Sequence, residues 1–148
     1  MRVSIASALA LVLALATTSS GDDEKDRTEE LKALIGTWTI DKAELGGVNV
    51  LEHLKPLDFE IKQGGKYTAK HGEEVDNGAF TIDPSKAPKQ MNIKPTGGPN
   101  KGKSVKSIYK LDGDTITVCY DLSGLERPVS FASKPNTTLY LAVYTRKK

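Results

Sequence analysis

The sequence predicts an all-β protein: an eight-stranded antiparallel up-and-down barrel with a short N-terminal helix. Three observations predict it. From Gly36 onward apolar residues recur with period two, most cleanly in Leu57-Asp58-Phe59-Glu60-Ile61-Lys62, which marks a sheet with one wet face. Gly, Pro, Asn and Asp punctuate these runs at short intervals, as hairpin connections require. A chain of 148 residues, 38% hydrophobic and 27% charged, supports one domain with its own core. Eight consecutive strands lose their exposed edges most simply by closing on themselves.

The first element is an export signal. Met1-Arg2 supplies a positive start, Val3 to Ala16 carries no charge, and Ala14-Leu15-Ala16 offers the small-x-small pattern of a cleavage site. Fourteen residues at about 1.5 Å each reach roughly 21 Å as a helix, short of the ~30 Å hydrocarbon core, so no stable membrane span is expected. Residues 1–16 are therefore assigned to a signal peptide, and the protein is expected to be exported, either periplasmic or secreted. Residues 17–27 read as a flexible acidic leader, and residues 28–148 as the barrel domain.

Thr28 precedes Glu29 and Glu30 as a helix cap precedes acids at the positive end of the dipole. Leu31, Leu34 and Ile35 share one face, and Gly36 stops the run, giving a helix over about 28–35. Strands follow at 37–45, 57–62, 67–71, 75–82, 90–94, 105–111, 115–121 and 138–146. Gly46-Gly47 ends the first, and 48–56 has room for one helical turn. Asp112-Gly113-Asp114 joins the sixth strand to the seventh as an Asp-Gly hairpin.

The chain resembles a family at several points in order. Gly36-Thr37-Trp38 opens the first strand and Arg146 ends the last, similar to the lipocalin signature. In that signature a tryptophan closes one barrel end beneath a C-terminal arginine. Ile82-Asp83-Pro84-Ser85-Lys86, Gly98-Pro99-Asn100-Lys101-Gly102-Lys103, Ile108-Tyr109-Lys110-Leu111-Asp112-Gly113-Asp114 and Glu126-Arg127-Pro128 follow in that order. The set resembles small exported lipocalin-like domains of planctomycete type, uncharacterised in function, over about residues 31–147. The resemblance implies a barrel and export, and it brings no reaction or catalytic residue. Lipocalins proper imply small apolar ligands, which is an analogy of fold. Independently, a cation over an indole face is worth about 0.5–2 kcal/mol, so Trp38 and Arg146 are candidate structural closure residues.

Other patterns point to function less strongly. Gly97 to Ser104 satisfies the phosphate-loop pattern, yet Val105 to Leu111 alternates like a strand where phosphate binding needs a helix, so no nucleotide is expected. Between Asp83 and Asp112 stand seven lysines (Lys86, Lys89, Lys94, Lys101, Lys103, Lys106, Lys110) and no carboxylate. That block suits an anionic polymer, a phosphorylated surface or the acidic leader, or it is simply solvated. With no interleaved aromatics and a net charge of +2, it does not suit nucleic acid. Cys119, mid-strand, reads as a small buried hydrophobe. His53 and His71, even with Glu73 and Glu74, lack the spacing of a metal or catalytic set. No catalytic residue, cofactor or metal ligand is assigned, and a monomer is expected.

The leading expectation is a non-enzymatic exported barrel that binds a small apolar or amphipathic ligand. Alternation points Phe59, Ile61, Tyr67, Phe80, Met91, Ile93, Ile116 and Val118 into the lumen, with Trp38, Ile40 and Ile82 also inward. The alternatives are a protein- or polyanion-binding, inhibitory module working through the lysine-rich loops, and an enzyme of unknown type. After Val105 both strand faces are apolar, so the inner face is ambiguous there.

Overall fold

A computed structural model describes residues 20–148. The expected signal peptide, residues 1–16, and residues 17–19 of the expected leader lie outside the described residues. In chain order the elements are α1 (Ser20–Leu34), β1 (Gly36–Leu45), β2 (Val48–Asn49), α2 (Leu51–Leu54), β3 (Leu57–Lys62), β4 (Lys66–His71), β5 (Glu74–Asp83), β6 (Lys89–Gly97), β7 (Val105–Asp112), β8 (Thr115–Asp121) and β9 (Leu139–Arg146). From β3 to β9 each strand pairs antiparallel with the next. β1 pairs with β3 through Gly36–Trp38, and with β9 from Trp38 opposite Arg146 to Leu45 opposite Tyr140. The result is a closed barrel of eight strands, β1 and β3 to β9. β2 adds only Val48 and Asn49 against the far end of β1.

α1 begins earlier than expected. Residues 20–27, assigned to a flexible leader, are helical here. Thr28 is no cap: its Oγ1 donates back to the Glu24 carbonyl at 2.9 Å, one turn earlier. Asp22 and Asp23 lie in the first turn, where the helix dipole favours negative charge, and neither Gly nor Pro interrupts 22–34. The cap-like spacing at Thr28 hid this, because Thr favours caps over helix interiors and is tolerated here with its hydroxyl bonded to the preceding turn.

The helix stops one end of the barrel. Leu34 is fully buried and Leu31 packs beside it on the main core, which holds Trp38, Ile61, Tyr67, Phe80, Ile82, Met91, Tyr109, Ile116 and Val118. Glu30 reaches inward, accepting from Tyr109 Oη at 3.1 Å and from Lys89 Nζ at 2.7 Å.

β1 carries a bulge at Asp41, between Ile40 and Lys42. The extra residue turns Ala43 inward after Ile40, so the buried positions run Trp38, Ile40, Ala43. Two adjacent charges, Asp41-Lys42, are its trace in the sequence.

The double-sided apolar pattern after Val105 has a plain cause. Ile108, Cys119 and Leu141 form one row across β7, β8 and β9 on the outer face, and Phe131 covers it. Phe131 belongs to the long connection from Leu122 to Thr138, which lies over that wall. Cys119 Sγ approaches the Ala132 carbonyl at 3.7 Å, and Lys110 Nζ stands 5.1 Å from the Phe131 ring centroid. Arg127 anchors the same segment, donating to the carbonyls of Ser107 at 2.6 Å and Met91 at 3.2 Å.

Closure converges on Arg146. Its guanidinium carbon lies 4.4 Å from the Trp38 ring centroid. Nη1 and Nη2 donate to the carbonyls of Ile35 and Ala33, each at 2.6 Å, and Nε donates to Asp114 at 3.1 Å. Trp38 Nε1 donates to the Leu34 carbonyl at 3.0 Å. One arginine thus joins β9, β1, the β7–β8 hairpin and the end of α1. Gly36 is required here, because its φ is +151° and a Cβ would stand 2.5 Å from Arg146 Nη1.

Replacing Arg146 by Ala is expected to cost on the order of 3 kcal/mol, since several charge-assisted bonds and a cation–π contact are lost together. Urea unfolding measures it. Arg146→Lys should recover less than half of the loss, because one ammonium cannot span two carbonyls and an indole face. Full recovery by lysine would refute the guanidinium clamp.

Candidate functional site

The barrel encloses a cavity of about 720 Å³, open at the end opposite α1. The eight residues expected in the lumen, Phe59, Ile61, Tyr67, Phe80, Met91, Ile93, Ile116 and Val118, all line it. Trp38 and Ile82 lie instead in the packed core, and Ile40 is buried opposite Tyr144. The wall also includes Leu57, Ala69, Pro95, Val105, Tyr120, Leu122 and Tyr144, which the strand-by-strand reading did not assign. Tyr120 and Val105 fell to the two-sided patterning. Pro95 lay beyond the expected strand end at 94, whereas β6 runs to Gly97.

An aromatic wall sits on one side. Phe59 is flanked by Tyr144 at 4.9 Å and by Tyr67 at 6.4 Å between centroids. Tyr67 fits because Gly78 faces it: a Cβ there would lie 2.9 Å from Tyr67 Oη and 2.4 Å from the Lys94 carbonyl.

The mouth is polar and comes from the strand ends and connections. Asp76 at the start of β5, Asn100, Lys103 and Ser104 from the β6–β7 loop, and Ser123 and Gly124 after β8 surround it. Asn100 Nδ2 donates to Asp76 Oδ2 at 3.2 Å, while Asp76 Oδ1 is buried with no hydrogen-bond partner. Gly97 to Ser104, the phosphate-loop pattern, is thus a strand-to-strand loop leading into β7, and part of it lines the mouth.

Size decides what the cavity is. At ~24 cal/mol per Å³, a sealed empty space this large would cost about 17 kcal/mol, more than a whole domain's usual stability. The space must therefore be filled, by water or by a guest. Its volume falls within the roughly 300–1,000 Å³ of small-molecule sites.

A second cleft of about 460 Å³ lies between α1 and the β5–β6 connection, lined by Asp23, Asp26, Glu29, Glu30, Asp83 and Lys89 among others. Among the described residues, no group of three or more His, Cys, Asp or Glu is arranged to hold a metal ion. Of the seven lysines, Lys89 bonds Glu30 and Lys110 lies over Phe131, and Lys86, Lys94, Lys101, Lys103 and Lys106 are exposed. No helix among the described residues is long and apolar enough to cross a membrane. Comparison with protein-family models, with curated proteins and with solved structures gives no match for this chain.

Burial raises all five tyrosine hydroxyls, Tyr67, Tyr109, Tyr120, Tyr140 and Tyr144, above their usual value of 10.0. Asp76 adds to the effect at Tyr67, and Glu30 at Tyr109. A folded-state pKa above the unfolded one gives stability that is complete below about pH 10 and lost as pH rises toward the folded value. Tyrosinate absorbance near 295 nm should therefore appear together with loss of circular dichroism as pH climbs above about 10. Smooth ionisation of most tyrosines in a folded protein would show that solvent reaches them freely.

Proposed function

We propose that this protein is a non-enzymatic exported barrel that holds a small apolar or amphipathic molecule in its lumen, of the kind expected for lipocalin-like domains. The observation that carries this reading is the 720 Å³ cavity, whose floor is apolar and whose mouth is polar. Such a gradient suits a guest with a hydrocarbon body and a polar end, since burial of apolar area gives roughly 25 cal/mol per Å². Export rests on residues 1–16 alone, and the family on the ordered motifs from Gly36 to Arg146.

The alternative of a binding module acting through loops draws on exposed Leu125 and Val129 in the Leu122–Thr138 segment, and on the exposed lysines. The lumen is favoured because its contacts converge on one enclosed space.

Titration with the solvatochromic dye Nile red, following energy transfer from Trp38, the one tryptophan, tests the reading. Saturable one-to-one transfer is expected. Ala69→Phe, which pushes a ring into the wall between Phe59 and Asp76, should weaken binding by about tenfold or more. A folded wild-type protein that shows no transfer, or an Ala69→Phe variant of unchanged affinity, would count against a ligand-holding lumen and return attention to the loops.

A further inference from the structure

Resting on the lumen reading, we infer that the guest carries a cationic amine at its polar end, with Asp76 as the head-group site. Among the described residues Asp76 is the one carboxylate on the cavity wall. It projects inward from β5 in register with Ala69, which in turn faces Phe59. Its Oδ1 is buried and accepts no hydrogen bond. Its Oδ2 accepts from Asn100 Nδ2 at 3.2 Å, a side-chain amide in an exposed loop. Among the described residues no cation pairs with it: the ion pairs place Lys89 on Glu30, and Arg146 and Lys148 on Asp114.

A carboxylate so poorly compensated at the edge of an apolar chamber is costly unless something supplies charge and donors. An ammonium does both, with three N–H groups that bond a carboxylate more strongly than a neutral amide does. It reaches Asp76 by taking the place of the Asn100 amide. Only the exposed Asn100 side chain has to swing aside, while its loop keeps the backbone hydrogen bonds from Lys101 to Gly98 and from Gly102 to Pro95. Tyr67 lies across Gly78, two residues from Asp76 on the same inward face, and brings its hydroxyl there, an oxygen that can accept from an ammonium. Lys103 stands at the same mouth but is exposed, so water and salt screen its repulsion of the guest. A carboxylate head would meet Asp76 with like charge.

The test is displacement of Nile red from the full-length mature protein at pH 7 by decylamine, decanol and decanoate, each below its micelle concentration. Decylamine should compete about tenfold better than decanol, the gain of one charge-assisted contact, and decanoate worst. In Asp76→Asn the amine-to-alcohol ratio should fall to near one. Equal competition by decylamine and decanol on the wild-type protein overturns the amine site and leaves the lumen reading intact. So does a preference for decanoate, or an amine preference that survives in Asp76→Asn. Failure of Nile red itself to bind overturns both readings. The wild-type comparison decides even where the variant does not fold.

Discussion

Closure of this barrel and seating of its helix both centre on the guanidinium of Arg146. A sheet becomes a barrel only if its first and last strands meet, and the β1–β9 seam has no covalent link. Arg146 sits where that seam begins, stacked on Trp38 and bonded to carbonyls at the end of α1. Those carbonyls are acceptors that a helix end leaves without partners, and a cation there also meets the negative end of the dipole. The same contact therefore closes the barrel and fastens its stopper. Gly36 follows as a requirement, because no side chain fits between the strand and the guanidinium.

Once one end is stopped by side chains, the other is left to define a chamber. Leu34, Trp38 and Ile82 fill the closed end, and from Ile61 and Phe80 outward the interior opens. Small residues at Ala69 and Gly78 keep the wall thin where Tyr67 and Phe59 enlarge it elsewhere. The chamber is thus a product of unequal side-chain sizes around a regular barrel, since a barrel of this strand number has room for packing or for one small guest.

The sequence carried the strands and the inward face well, because period two writes both into the same residues. Phe59-Glu60-Ile61 and Phe80-Thr81-Ile82 leave no doubt about which side is dry. It failed where one residue served two surfaces. Ile116-Thr117-Val118-Cys119 is apolar on both sides because Phe131, distant in sequence, covers the outer row. The start of α1 was missed because Thr28 followed by two glutamates imitates a cap. Asp76 was legible only through parity, since it shares the face of Phe80 and Ile82 in the expected strand, and an acid in a strand ordinarily faces water, so nothing marked it as a lumen residue until the barrel closed. Chamber size was equally out of reach, since it depends on how far opposite walls stand apart.

The covering segment from Leu122 to Thr138 has a mechanical consequence. It gives β7, β8 and β9 apolar packing on both faces, whereas β3 to β6 present charged residues such as Asp58, Glu60, Lys70 and Lys94 outward. Local opening is easiest where few apolar contacts resist it. The barrel is therefore packed on both faces along β7–β9 and on one face along β3–β6, and local opening is expected first on the β3–β6 side.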